Sequence, residues 1–163
     1  MHIYNNILED KFAKNIESEV LHLPFYLNHH SLKTFNEMQI SSPFLISAKH
    51  PTDTVDMAQE ISGYVINHFM NKIILKNYKV QNASLCLFLD GIGQQVINQS
   101  IYKYSMIYFV NSTQASVYIN GKKIISGISG SDTIFVNNND SIVSLDTSGI
   151  QCIIVANMED LDE

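Results

Sequence analysis

Val117-Tyr118-Ile119-Asn120-Gly121-Lys122-Lys123-Ile124 is the stretch that decides the fold class of this chain. Two runs of strand-forming residues flank Asn-Gly, a dipeptide that accepts the positive φ angles of a type I′ turn, so a tight hairpin is expected here. Outward from it, runs rich in Val, Ile, Tyr and Phe recur at Ala83–Leu89, Tyr104–Val110, Ala115–Ile119, Lys122–Ile125, Thr133–Val136, Ser141–Leu145 and Ile150–Ala156. Short strands at such even spacing predict an all-β sandwich or barrel. Gly127, Gly130, Asn137 to Asn139 and Gly149 supply the turns between them, and Glu159 to Glu163 read as a solvated acidic tail.

The first half has a different period. Ile3, Ile7, Leu8, Phe12, Ile16 and Val20 alternate with Glu9, Asp10, Lys11, Lys14, Glu17 and Glu19, the pattern of an amphipathic helix over the first twenty residues. A second helix is predicted to start at Asp53 or Thr54, with Asp56 and Glu60 in its first turns. Val55, Ala58, Ile61, Val65 and Phe69 share one of its faces, and it ends near Asn71 to Lys76. Between the helices, His22–Leu27 and Pro43–Ser47 are apolar runs bounded by Pro, Ser and Asn and are expected to be strands. The expected architecture is α+β: N-terminal helices packed on a mainly antiparallel double-stranded β-helix, a jelly-roll or cupin-like barrel. One domain is expected over 1–163, with helices and opening strands in 1–80, the barrel core in 81–158 and the tail in 159–163.

Composition narrows the function classes. A chain of 163 residues can bury roughly 70% of the surface its unfolded form exposes and needs no disulfide or metal to hold together. The formal net charge is -6 and every basic residue is a lysine. A nucleic-acid partner is therefore not expected, because such affinity comes from cationic side chains displacing counterions from phosphates. Nor does any guanidinium fork exist to grip a carboxylate or phosphate bidentately. No stretch approaches the ~18 apolar residues of a membrane span, and Met1-His2-Ile3-Tyr4 has no basic flank leading into an apolar core. No membrane association is expected, and the chain is expected to fold in the cytosol. Abundant Ile, Asn and Lys point to an AT-rich coding genome of the phage or small-bacterial kind. Cys86 and Cys152 each lie in an apolar run and are expected to be buried thiols in strands.

The order of helix, strand pair, long helix and compact barrel resembles the small 2-oxoglutarate- and iron(II)-dependent oxygenases of the prolyl-hydroxylase type, particularly those found in phage genomes. Leu23-Pro24-Phe25-Tyr26 is similar to that family's early Pro-aromatic strand, and Ala83 to Asp90 to the strand that opens its barrel. Tyr104-Ser105-Met106-Ile107-Tyr108-Phe109-Val110-Asn111 is similar to its central strand with a Tyr-x-x-Asn end. Gly121, Thr133-Ile134-Phe135-Val136 and Ile150 to Asn157 follow in family order.

The resemblance implies a facial triad, His-x-Asp with a distant His, since iron(II) needs three protein ligands and open positions for oxygen and cosubstrate. It puts the first two ligands in Val96-Ile97-Asn98-Gln99-Ser100-Ile101, where Asn98 and Ser100 stand in place of His and Asp, and the third in 139–144. All six histidines (2, 22, 29, 30, 50 and 68) precede residue 69. The basic residue that would hold the 2-oxoglutarate carboxylate on a late strand is replaced by Gln151 and Cys152, and no Lys or Arg follows Lys123. Triad and clamp are missing together.

Other chemistry finds little support in the residues. His29 and His30 are neighbours that point apart in an extended chain and read as a polar loop, while His68 borders the apolar stripe of the long helix and reads as a hydrogen-bonded boundary residue. Asp90-Gly91-Ile92-Gly93 is a turn, not a phosphate cradle, because no helix pattern follows it. Ser126 to Ser131 is a loop without a Gly-x-Ser-x-Gly, and no late His could serve as its base.

No catalytic, cofactor-binding or metal-binding residue is therefore assigned, no cofactor is expected, and the chain is expected not to be an enzyme. The expected role is a non-catalytic barrel that binds or builds. In that role it would be a phage virion accessory protein of head, neck or tail, self-associating or docked on a larger assembly through Tyr and Phe exposed on strand faces. The alternatives are a divergent metal- or small-ligand-binding enzyme using first-half histidines with Asp90 or Asp140, and a phage inhibitor of host defence.

Overall fold

Gln151–Asp160 is the strand around which the molecule is built, and its residues from Gln151 to Met158 are all buried. Cys152, Ile154, Ala156 and Met158 face one core and Ile153 and Val155 another, so this strand is covered on both faces and reads as one continuous apolar run. The computed structural model describes residues 1–23, 26–28, 31–33, 52–75, 78–91 and 93–161, with the backbone alone described within 26–59.

In chain order the elements are β1 (His2–Tyr4), α1 (Asp10–Leu21), β2 (Tyr26–Asn28), β3 (Ser31–Lys33) and α2 (Thr52–His68), which a π-helical turn at Phe69–Ile73 continues. Then follow β4 (Tyr78–Phe88), β5 (Gln94–Val96), β6 (Tyr104–Phe109), β7 (Thr113–Ile119), β8 (Lys122–Ile128), β9 (Thr133–Asn137), β10 (Val143–Asp146) and β11 (Gln151–Asp160). They form two antiparallel sheets, β1-β9-β6-β11-β4-β3-β2 and β5-β10-β7-β8. Consecutive strands alternate between the sheets over much of the barrel, which is the winding of a double-stranded β-helix.

Two cores result. Ile16, Val20, Ile61, Val65 and Phe69 from the helical layer meet Leu85, Met106, Tyr108, Cys152 and Ile154 on the outer face of the large sheet. Between the sheets, Phe88, Ile107, Phe109, Ile134, Ile153 and Val155 meet Val117, Ile119, Val143 and Leu145. On β7 burial alternates, as expected of a strand whose other face is wet.

The hairpin at Asn120-Gly121 is present, with φ of 50° and 81° at the two turn residues, the left-handed pair that a type I′ turn requires. Asn120 also binds the chain before β10: its Oδ1 accepts the Ile142 N–H at 2.8 Å and its Nδ2 donates to the Asp140 carbonyl at 3.1 Å.

Several expectations need correction. The first residues are not helical: Ile3 pairs with Ile134 in β1, and α1 begins only at Asp10. The cause is tertiary, since Ser131 accepts the Ile7 N–H on its carbonyl and the Leu8 N–H on its hydroxyl, while Asp132 takes the Asn6 N–H. Ile16 and Val20 are buried as predicted, but Phe12 is exposed. The predicted strand at 22–27 instead starts at Tyr26, because the chain still closes the helix at His22, and β3 and β5 were not foreseen. In α2, Ile61, Val65 and Phe69 are buried as the pattern requires; the side chains of Val55 and Ala58, and the whole of 43–47, lie outside the described residues. Ser126, Gly127 and Ile128 belong to β8 and not to a loop. Glu159 and Asp160 are the end of β11 and not a loose tail: Glu159 Oε1 accepts the Lys103 N–H at 2.9 Å and Asp160 Oδ2 receives Lys103 Nζ at 2.7 Å.

Candidate functional site

Four asparagines stand where apolar strands run out at one end of the barrel: Asn82 on β4, Asn98 after β5, Asn138 after β9 and Asn157 on β11. They are linked head to tail. Asn98 Nδ2 donates to Asn138 Oδ1 at 2.9 Å, Asn138 Nδ2 to Ser105 Oγ at 2.8 Å, Ser105 Oγ to Asn157 Oδ1 at 2.7 Å, and Asn157 Nδ2 to Asn82 Oδ1 at 2.6 Å. Amides suit this job because each carries a donor and an acceptor and can pass a chain of hydrogen bonds from one sheet to the other. Asn98 is the most tightly held, its Nδ2 donating also to the Ser141 carbonyl at 2.8 Å and its Oδ1 accepting the Val143 N–H at 2.8 Å.

This relay forms the floor of a cleft of about 670 Å³, lined also by Val96, Gln99, Ser100, Ile101, Tyr102, Ser141 and Ile142. Among the described residues none that lines it is charged. Its rim is apolar and open, Ile101 being 87% and Ile142 57% exposed. At its floor, Asn82 Nδ2 and the Ser141 hydroxyl have no hydrogen-bond partner among the described residues, and on the rim the Gln99 amide has none.

Asn98 and Ser100, where the resemblance puts the first two iron ligands, are thus brought to the cleft, and so is Ser141 from the segment expected to hold the third. They do not fit iron(II). The Asn98 oxygen is committed to Val143 and its nitrogen donates, Ser100 Oγ accepts the Tyr102 N–H at 3.0 Å, and no anionic or imidazole donor accompanies them among the described residues. No group of three or more His, Cys, Asp or Glu side chains gathers among the described residues. Gln151 is buried and fully occupied, Nε2 donating to the Asn111 carbonyl at 3.0 Å and Oε1 accepting Thr113 Oγ1 at 2.6 Å. Cys152 faces the helical layer, where burial first and then neighbouring Cys86 push its thiol well above the ordinary range.

The remaining candidates are scattered. His22 Nδ1 bonds the Ser18 carbonyl, and His68 Nε2 bonds the Ile7 carbonyl at 2.8 Å, the boundary role expected of it. His29, His30 and His50 lie outside the described residues. Asp90 Oδ1 takes the Gly149 N–H at 2.8 Å beyond Phe88. It is more than about 20 Å along β4 from Asn82, at ~3.3 Å per residue, and so far from the cleft. Of the aromatic residues on strands, Phe88, Tyr108, Phe109 and Phe135 are buried, since the large sheet is covered on both sides, and burial pushes the Tyr108 hydroxyl up to about 12, whereas Tyr78, Tyr104 and Tyr118 are partly exposed.

No protein-family profile matches the chain, and no curated protein matches its sequence. Its solved structural neighbours are informative. A prolyl hydroxylase from Trichoplax adhaerens, in complex with a peptide of the hypoxia-inducible factor oxygen-degradation domain, superposes with a TM-score of 0.58 at 8% identity, over 98% of this chain and 83% of that one. A Pseudomonas putida prolyl-4-hydroxylase gives 0.58 at 6%, over 99% and 92%. A viral collagen prolyl hydroxylase from Paramecium Bursaria Chlorella virus-1 gives 0.51 at 10%, over 99% and 96%.

The fold is the prolyl-hydroxylase double-stranded β-helix. At these identities the likeness is one of fold, and this barrel carries an amide relay and, at its mouth, a cleft whose described lining residues are uncharged. No helix among the described residues is long and apolar enough to cross a membrane.

Proposed function

We propose that this chain is a non-catalytic binding module on the double-stranded β-helix scaffold, with the amide-floored cleft as its binding site. The observation that carries this is the state of Asn98: its amide nitrogen donates to Asn138 and to the Ser141 carbonyl and its oxygen accepts the Val143 N–H, so where the fold's iron ligand would stand there is a neutral amide engaged within the barrel, a poor ligand for iron(II). The open donors on Asn82, Ser141 and Gln99 supply the groups with which such a cleft would orient a ligand.

The setting we propose is an assembly, the chain docking or self-associating as a phage virion accessory subunit of head, neck or tail. Its support is the composition, an AT-rich coding bias with no arginine, and the exposed apolar trio of Val96, Ile101 and Ile142 beside the cleft.

Metal content of the untagged protein by mass spectrometry, titration with iron(II) and 2-oxoglutarate, and light scattering test the proposal together. The expected result is a metal-free protein that ignores 2-oxoglutarate and scatters as more than one chain. Bound metal at about one per chain, or saturable 2-oxoglutarate binding, would overturn the non-catalytic reading, and a strict monomer would remove self-association.

A further inference from the structure

Among the described residues, the lining of the cleft is polar without charge. Amides and hydroxyls (Asn82, Gln99, Ser100, Ser141) share it with an aromatic ring, Tyr102, and with the aliphatic faces of Val96, Ile101 and Ile142. The nearest cation in sequence, Lys103, is held by Asp160, whose hydrogen bond keeps the ammonium well above its ordinary range, and the chain carries a net charge of -6. Among the described lining residues an anionic ligand would find neither a counter-charge nor a fork to hold it, and a cationic ligand would find no carboxylate.

Ligands that match such a surface present hydroxyls on their edges and C–H groups on their faces. Each hydroxyl both donates and accepts, as does each amide, and the apolar rim covers the face that carries no hydroxyl. We infer that the cleft binds a neutral polyhydroxylated ligand, a saccharide unit, with Asn82 Nδ2, the Gln99 amide and the Ser141 hydroxyl reaching its hydroxyls and Ile101, Ile142 and Tyr102 covering its face. The volume of about 670 Å³ is of the size that takes a small ligand or a terminal sugar of a longer chain. The relay beneath fixes the floor: Asn82 Oδ1 is already engaged by Asn157, so the Asn82 amide turns its nitrogen outward.

This inference rests on the cleft being a binding site, and the experiment separates the two. The protein is applied to an array of neutral, sialylated and uronate-bearing oligosaccharides, and neutral hits are titrated into 15N-labelled protein. Expected are hits among neutral glycans, shifts of the Asn82 and Gln99 side-chain amide signals, and a roughly tenfold loss of affinity in each of Asn82→Ala and Gln99→Ala. Gln99 is exposed, so Gln99→Ala leaves the fold intact. Hits confined to acidic glycans, neutral binding that survives both variants, or a blank array would overturn the saccharide assignment. After a blank array, small neutral amides and alcohols that still move the Asn82 and Gln99 signals would keep the cleft as a site for another ligand class. Compounds that move none would remove the binding site as well.

Discussion

Cys86 and Cys152 lie on adjacent strands one residue out of register, Cys86 opposite Ile153 and Cys152 opposite Leu87, and their side chains enter different cores. A sheet between them keeps the two sulfurs from bonding, and neither forms a disulfide. Both thiols are buried, and burial holds Cys152 in the protonated, unreactive form. Native protein is expected to leave Ellman's reagent unreacted over hours at pH 8 and to release two thiols per chain in guanidinium. Fast native labelling would contradict the packing of both faces.

The relay makes Asn98 a structural residue. Asn98→Ala leaves the Val143 N–H, the Ser141 carbonyl and Asn138 without their partner, and a loss of about 2–3 kcal/mol is expected. In a chain of this size that lowers Tm by roughly 5–10 °C.

Asn98→Asp is a sharper probe. The new carboxyl replaces the donor Nδ2 only while protonated, so its folded pKa must lie above the unfolded value of about 3.9. A raised folded pKa gives stability that is present below the unfolded pKa and is lost as pH rises through the folded one. The variant is expected to approach wild-type Tm near pH 4 and to fall progressively behind it toward pH 7; a constant offset would refute the donor role.

Asp132 offers the same sign in the natural chain. Burial raises its pKa, against the N–H bonds from Asn6 and Ser129. Asp132 therefore opposes folding more as pH rises above the carboxylate range. Asp132→Asn keeps an oxygen for the Asn6 N–H and is expected to flatten the fall in stability as pH rises above the ordinary carboxylate range, without lowering stability at pH 7. Thermal melts across that range check it.

At the hairpin, Gly121→Ala places a Cβ on a residue with φ of 81°. A loss of about 1 kcal/mol is expected from the left-handed backbone, with Asn120 still tied to Ile142. Denaturant titration of both hairpin variants, Gly121→Ala and Asn120→Gly, should rank Asn120→Gly as the costlier, since it removes the two bonds that Asn120 makes to the segment lining the cleft.

The barrel was legible because its strands advertise themselves locally. The runs around Ile107, Val117 and Ile153 are long, β-branched and bounded by turn residues, and Asn120-Gly121 names its own turn type. What was not legible depends on distant partners. β1 and β5 have three residues each and exist because Ile134 and Ser144 are there to pair with them. The cleft was half visible: Asn98 and Ser100 drew attention for what they are not, but the Asn98 partners Asn138 and Ser141 lie some forty residues on. The available signal was the recurrence of asparagine at the ends of apolar runs, at 82, 98, 138 and 157.

From Asn98 to Asn82 every donated hydrogen points the same way. Five groups so arranged add their bond dipoles in series, and hydrogen bonds in such a chain polarise one another. The outward-facing nitrogen of Asn82 is therefore a stronger donor than a lone amide in water, and whatever binds there is held in part by Asn98 at the other end of the relay.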